Sequence, residues 1–142
     1  MKNITSAVEF FLELGRTQAV ITRRFDNGLG GLGFSEFLIL YHLSIAKDGR
    51  LRRVDLADKV GLTPSGVTRL LAPMEKIGLV KRETYEGDAR VSFVALASGG
   101  KRRLDEGLER AKELAEDIFS TLDIKNTKGL TEVLKKLGKL KL

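Results

Sequence analysis

Val54-Asp55-Leu56-Ala57-Asp58-Lys59-Val60-Gly61-Leu62-Thr63-Pro64-Ser65-Gly66-Val67-Thr68-Arg69-Leu70-Leu71 reads as two short helices separated by one tight turn. A helix over about 53–60 puts Val54, Leu56, Ala57 and Val60 on its inner side. Small Ala57 lets a second helix approach closely, and Gly61 supplies the turn between them. Thr63-Pro64 opens the second helix: the threonine oxygen caps free amides, and proline at the first helical position sacrifices no hydrogen bond. That helix runs to about Ile77, with Val67, Leu70 and Leu71 inside, and Gly78 ends it. Thr63, Pro64, Ser65, Gly66, Thr68 and Arg69 then remain at its outer N-terminal end.

On either side the period of the pattern changes. Upstream, 5–26 is an amphipathic helix carrying Ala7, Val8, Phe11, Leu12 and Leu14 at helical spacing, stopped by Asp26-Asn27-Gly28. Gly28-Leu29-Gly30-Gly31-Leu32-Gly33 reads as a flexible connection. Ser35 is expected to cap the next helix, whose apolar face takes Phe37, Leu38, Leu40, Tyr41 and Ile45, and Asp48-Gly49 turns the chain. Downstream, 79–85 and 90–96 are strand-like around Glu86-Gly87-Asp88, a hairpin. After Ser98-Gly99-Gly100 a long helix repeats Leu104, Leu108, Ala111, Ala115, Ile118 and Leu122 at alternating spacings of four and three, a heptad-like seam. Asn126-Thr127 breaks it, a terminal helix carries Leu130, Val133, Leu134, Leu137 and Leu140, and the last residues fray. The predicted fold is mostly α with a small β-hairpin wing, a winged helix-turn-helix flanked by terminal helices. It is one domain over 1–142: the winged part is 34–97, with the helix-turn-helix at about 53–77 and the wing at about 79–96.

Composition narrows the chemistry. The 142 residues include no cysteine and a single histidine, His42. Disulfides, thiolate sites, a cysteine nucleophile and a multi-histidine metal site are excluded. No carboxylate pair stands out as an acid–base couple, so neither an enzyme nor a cofactor is expected. Glu9 and Glu13 interrupt the N-terminal apolar residues, unlike a signal peptide, and no run is long enough to span a membrane. A cytoplasmic protein with no membrane partner is the expectation. The net charge of +6 is concentrated: twelve basic and six acidic residues lie between Arg50 and Arg103, while the flanks balance. Such a segment attracts polyanions.

Double-stranded DNA is therefore the expected partner. Small residues at the start of the second helix let it enter a major groove roughly 12 Å wide, and the N-terminal end of such a helix is the part that meets base edges. Ser65 and Thr68 reach bases or phosphates, and Arg69 reaches guanine or backbone. Arg90, at the tip of the wing, suits the strongly negative minor groove. Asp88 would repel DNA by itself, so its expected role is to order the wing by pairing with an arginine. Arg52, Arg53, Lys59, Lys81 and Arg82 are candidate phosphate ligands.

These residues carry a resemblance to the multiple antibiotic resistance regulator (MarR) family over nearly the whole chain. Leu56-Ala57 through Leu62 resembles the family's first motif helix, and Ser65-Gly66-Val67-Thr68-Arg69-Leu70 its recognition helix. Glu75-Lys76-Ile77-Gly78-Leu79-Val80 is similar to the exit into the wing. Asp88-Ala89-Arg90 followed by Leu96 resembles the wing signature. The resemblance implies a homodimer held by the helices of 1–33 and 98–142. That role suits Phe11, Leu108, Ala111, Ala115, Ile118, Leu122, Leu134 and Leu137. It also implies a transcriptional regulator, typically a repressor, on a pseudo-palindromic operator, released when a small aromatic or phenolic effector enters a cleft. Tyr41 and His42 are the cleft candidates.

Three positions depart from the family pattern. Ala72-Pro73-Met74 replaces Asp-Arg-Leu, and Pro73 cannot donate to the carbonyl of Arg69, which predicts a kink. Ala97 stands where a threonine cap is common, leaving Ser98 as the expected cap. Arg52 stands where a capping hydroxyl is common and is expected at phosphate instead. The glycine run also fits G-x-G-x-x-G, but that fingerprint needs a preceding strand and a βαβ unit. His42 also fits a structural histidine at an interface. The competing function is a winged helix used as a protein–protein or adaptor module, since fold alone does not decide.

Overall fold

The computed structural model describes residues 3–85 and 87–141. Helix α1 (Ser6–Gly28) is followed by α2 (Phe34–Ile45), a single 3-10 turn at Lys47–Gly49 and strand β1 (Arg50–Leu51). Then come α3 (Arg53–Val60), α4 (Pro64–Lys76), β2 (Val80–Tyr85), β3 (Asp88–Leu96), α5 (Ser98–Thr121) and α6 (Thr127–Leu137). The three strands form one antiparallel sheet in the order β1-β3-β2. Register runs from Val80 opposite Leu96 to Tyr85 opposite Asp88, with an irregularity at Thr84/Tyr85. Strand β1 was not expected. It sets Arg50 opposite Ala95 and Leu51 opposite Val94, making the expected hairpin a three-stranded sheet. Two residues of strand are too few to display alternation, so no local pattern announces it. Asp88 already belongs to β3, and the expected turn residue Glu86 lies outside the described residues.

The core is built where α2, α3, α4 and the sheet meet. Ile39, Leu40, Leu43, Leu56, Val67, Leu71 and Met74 are all buried there, and Leu104 of α5 joins them. On α2 the buried face is Phe37, Ile39, Leu40 and Leu43, so Tyr41 and Ile45, expected inside, are exposed. Val54 is also exposed, because the first turn of α3 extends past the core. Gly28–Gly33 is not merely flexible. Leu29 and Leu32 are buried in the core, and Gly30 and Gly31 have positive φ, which lets the chain reverse so tightly that both leucines point inward. It joins helix to helix, so the dinucleotide fingerprint has no strand to follow.

Several helix ends differ in their chemistry from the expectation. Thr5 caps α1 by accepting from the N–H of Val8. The helix runs two residues past Asp26, whose carboxylate instead accepts from the Phe34 N–H at 2.7 Å. Ser35 lies inside α2. Gly33 is the cap, and its N–H donates to Glu36 at 2.8 Å, so the reciprocal carboxylate does the capping. Ala97, not Ser98, caps α5 without any side-chain bond. Helix α4 continues through Pro73 as one element to Lys76.

Candidate nucleic-acid interface

The turn between α3 and α4 forms as the residues dictate. Gly61 has a φ of 71° and its neighbour Leu62 donates to the Ala57 carbonyl at 3.0 Å, closing α3 through a left-handed cap. Thr63 then accepts from the Gly66 N–H at 3.1 Å and shares a 3.2 Å hydrogen bond with Ser65. This end of α4 is thereby rigid. Thr63, Pro64, Ser65, Thr68 and Arg69 are exposed on it and Gly66 is half-buried. Val67, Leu71 and Met74 anchor the opposite face in the core.

Arg53 reaches across from α3, its guanidinium donating to the Thr68 hydroxyl at 3.2 Å. Sequence reasoning missed this pairing: the partners are fifteen residues apart and no local spacing reports it. Arg52 pairs with Asp55 at 3.0 Å. Of the two expected phosphate ligands at the α3 N-terminus, Arg53 thus lies beside α4, while Arg52 is held by α3 itself. Lys59, at the other end of α3, shares a groove with His42 of α2. Tyr41 stands next to His42, edge to face at 5.3 Å, but does not line that groove.

The wing is ordered by its own residues. Asp88 accepts from the backbone N–H of Arg90 at 2.9 Å and from its guanidinium at 3.1 and 3.2 Å. These bonds hold the Asp88 carboxyl below its usual range. Arg90 is nevertheless 91% exposed, so a fixed cation projects from the tip. At the base of the wing, Arg50 stacks over Phe93 at 4.4 Å and pairs with Glu83 at 3.6 Å. Lys81 also reaches Glu83, at 3.7 Å, and Arg82 reaches Glu75 at 4.0 Å. Exposed pairs of this kind contribute about 0–1 kcal/mol each, so these cations are readily drawn toward phosphate.

The dimerisation candidates fall into three groups. Ala111 packs against the core of its own chain, and Leu104 is within it, because the first half of α5 lies against α2. Ala115, Ile118 and Leu137 are half-buried, whereas Phe11, Leu108, Leu122 and Leu134 are exposed. Helices α1 and α6 bury no residue at all.

A capped helix pair, a recognition face of small and basic residues and an arginine-tipped wing define a winged helix-turn-helix protein. The model of the MarR family matches residues 30–91. The winged part of the chain is thus similar to the MarR family. It is 33% identical over 104 residues to the HTH-type transcriptional repressor YetL of Bacillus subtilis, an alignment covering 72% of this chain and 62% of YetL. Among solved structures, it resembles the transcriptional regulator BldR from Sulfolobus solfataricus at 26% identity and a TM-score of 0.79, covering 96% of this chain and 97% of BldR. It also resembles Sco3205 from Streptomyces coelicolor, a MarR family regulator crystallised in complex with DNA. That match has 21% identity and a TM-score of 0.80, and covers 98% and 91% of the two chains.

Proposed function

We propose that this protein is a sequence-specific regulator of transcription, a repressor, that binds double-stranded DNA as a homodimer on a pseudo-palindromic operator. The observation that carries the reading is the exposed, rigidly capped N-terminal face of α4 beside an arginine-tipped wing. Helix amides and Arg69 suit base edges and phosphates in the major groove, and Arg90 suits the minor groove. The repressor YetL and the DNA-bound Sco3205 favour the same role. The homodimer is supported by α1 and α6, whose apolar residues Val8, Phe11, Leu12, Val133 and Leu134 stand exposed in the single chain; patches of this kind mark interaction surfaces. Release by a small-molecule effector completes the reading. It contains no catalytic step, in keeping with relatives named as transcriptional regulators.

The test is binding of the purified protein to the DNA upstream of its own coding region, against random duplex, over a salt series. The reading predicts tighter binding to the upstream DNA and a steep loss with salt, because each neutralised phosphate adds about 0.9 to the slope of log K against log salt. Absence of a preference together with a flat salt response would favour a protein-contact module.

A further inference from the structure

We propose that Arg53 of α3 is a positioning residue for base reading: it fixes the Thr68 hydroxyl of the recognition helix as a hydrogen-bond donor, and so sets which base edges that hydroxyl selects. The inference rests on the proposed function, since Thr68 reads a base only where α4 lies in the major groove. The two side chains meet across the helix pair, the guanidinium Nη1 donating to the Thr68 hydroxyl at 3.2 Å. Arg53 is half-buried and Thr68 exposed. Arg53 shares a narrow notch with Leu71, Val80 and Val94, all three buried, which limits where the guanidinium can go. Glu75 lines the same notch but pairs with Arg82 at 4.0 Å. Among the described residues the Arg53 guanidinium has no carboxylate within 4.0 Å and takes the hydroxyl instead.

Chemistry fixes the polarity of this contact. A guanidinium has donors only, so the threonine oxygen must accept, and one of its lone pairs is occupied. The hydroxyl proton then turns away from the cation. A helical threonine can return that proton to the carbonyl four residues back, as Thr131 does to Thr127 at 3.0 Å. Thr68 makes no such bond to Pro64 among the described residues. Its proton is left for a partner outside the chain, on the exposed side of α4. A free threonine hydroxyl pairs with donor and acceptor edges alike. One whose oxygen is already drawn toward a cation is a poorer acceptor and a better donor. In the major groove guanine, adenine and thymine each present an acceptor, whereas cytosine presents only its N4 amine, a donor. Arg53 therefore turns an ambivalent hydroxyl into one that discriminates against cytosine at the base it faces.

The test measures the affinity of the full-length protein for the DNA upstream of its own coding region and for every single-base substitution of it. Thr68→Val, isosteric and at an exposed position, should flatten one base position in each half-site and so mark the base that Thr68 faces. There the wild type should bind the cytosine substitution about tenfold more weakly than the best base, the contribution of one hydrogen bond. Arg53→Met keeps an unbranched stem but has no donor. It should flatten the same position and leave discrimination elsewhere intact, and combined with Thr68→Val it should flatten nothing further. Arg53→Ala, with the best helix former at that position, repeats the comparison should the melting temperature of Arg53→Met fall. A loss spread evenly over all sequences would make Arg53 a phosphate ligand only and overturn the proposal. So would flattening at a position other than the one Thr68→Val marks, or wild-type tolerance of cytosine there. A wild type that does not distinguish the upstream DNA from random duplex contradicts the regulator and this inference with it. One that does, with its discrimination against cytosine unchanged in Arg53→Met, contradicts only the inference.

Discussion

Arg69 is exposed on the second turn of α4, and among the described residues no carboxylate lies within salt-bridge distance of it. A guanidinium held this way is available to a base edge. Arg69→Ala should weaken operator binding by about 1–3 kcal/mol while leaving random duplex nearly unchanged; fluorescence anisotropy on both duplexes measures it, and equal losses would make Arg69 a phosphate ligand. His42 gives a prediction in pH. Its folded pKa lies below the ordinary 6.5, from burial first and Lys59 second, so the unfolded chain takes up the proton first. Stability should therefore be constant above the ordinary value and decline as pH falls through it toward the folded pKa. Urea midpoints between pH 8 and 5.5 test this, and His42→Gln should flatten the decline. At this scale the candidate site was partly legible. Thr63, Ser65 and Arg69 were readable because Thr63-Pro64 marks the start of α4 and fixes which residues lie on its first turns. The Arg53–Thr68 hydrogen bond was not, because it is made by two helices folding onto each other.

Secondary-structure elements were legible wherever periodicity was long. The long helices and the two wing strands emerged from their spacing, but β1 did not, since two residues carry no period. The leucines of Gly28–Gly33 escaped for a different reason: glycine-rich composition signals freedom, whereas positive φ at Gly30 and Gly31 is here used to bury their neighbours. The join of α5 to the sheet is equally hidden in sequence. A Cβ on Gly100 would collide with the backbone carbonyl oxygen of Leu79, and backbone at that point cannot swing aside as a flexible side chain could. Glycine is what lets α5 start against the wing's first strand. Gly100→Ala should cost about 2 kcal/mol by overpacking, a fall in Tm of roughly 5–10 °C by calorimetry. An unchanged Tm would mean that α5 and the sheet separate easily.

At the scale of the whole molecule, α1 and α6 contribute amphipathic surface but no buried residue, so the single chain leaves its ends unsatisfied. Phe11→Glu combined with Leu134→Glu should shift the protein from the mass of two chains to that of one in sedimentation. Operator affinity should fall with it, since each half-site would then be bound alone. A variant that remains dimeric would move the interface to other residues. The heptad seam of α5 was legible in sequence, but its division was not. Leu104 and Ala111 serve the core of their own chain, Ala115 and Ile118 are half-buried, and Leu108 and Leu122 stand exposed, a division that only the assembled fold reveals. The central claim is that two recognition helices read two half-sites from one rigid dimer. Hydroxyl-radical footprinting on the upstream DNA tests it most directly. The account predicts two protected segments related by symmetry, with centres one helical turn, roughly 34–36 Å, apart. A single protected segment, or uniform protection along the duplex, would contradict it.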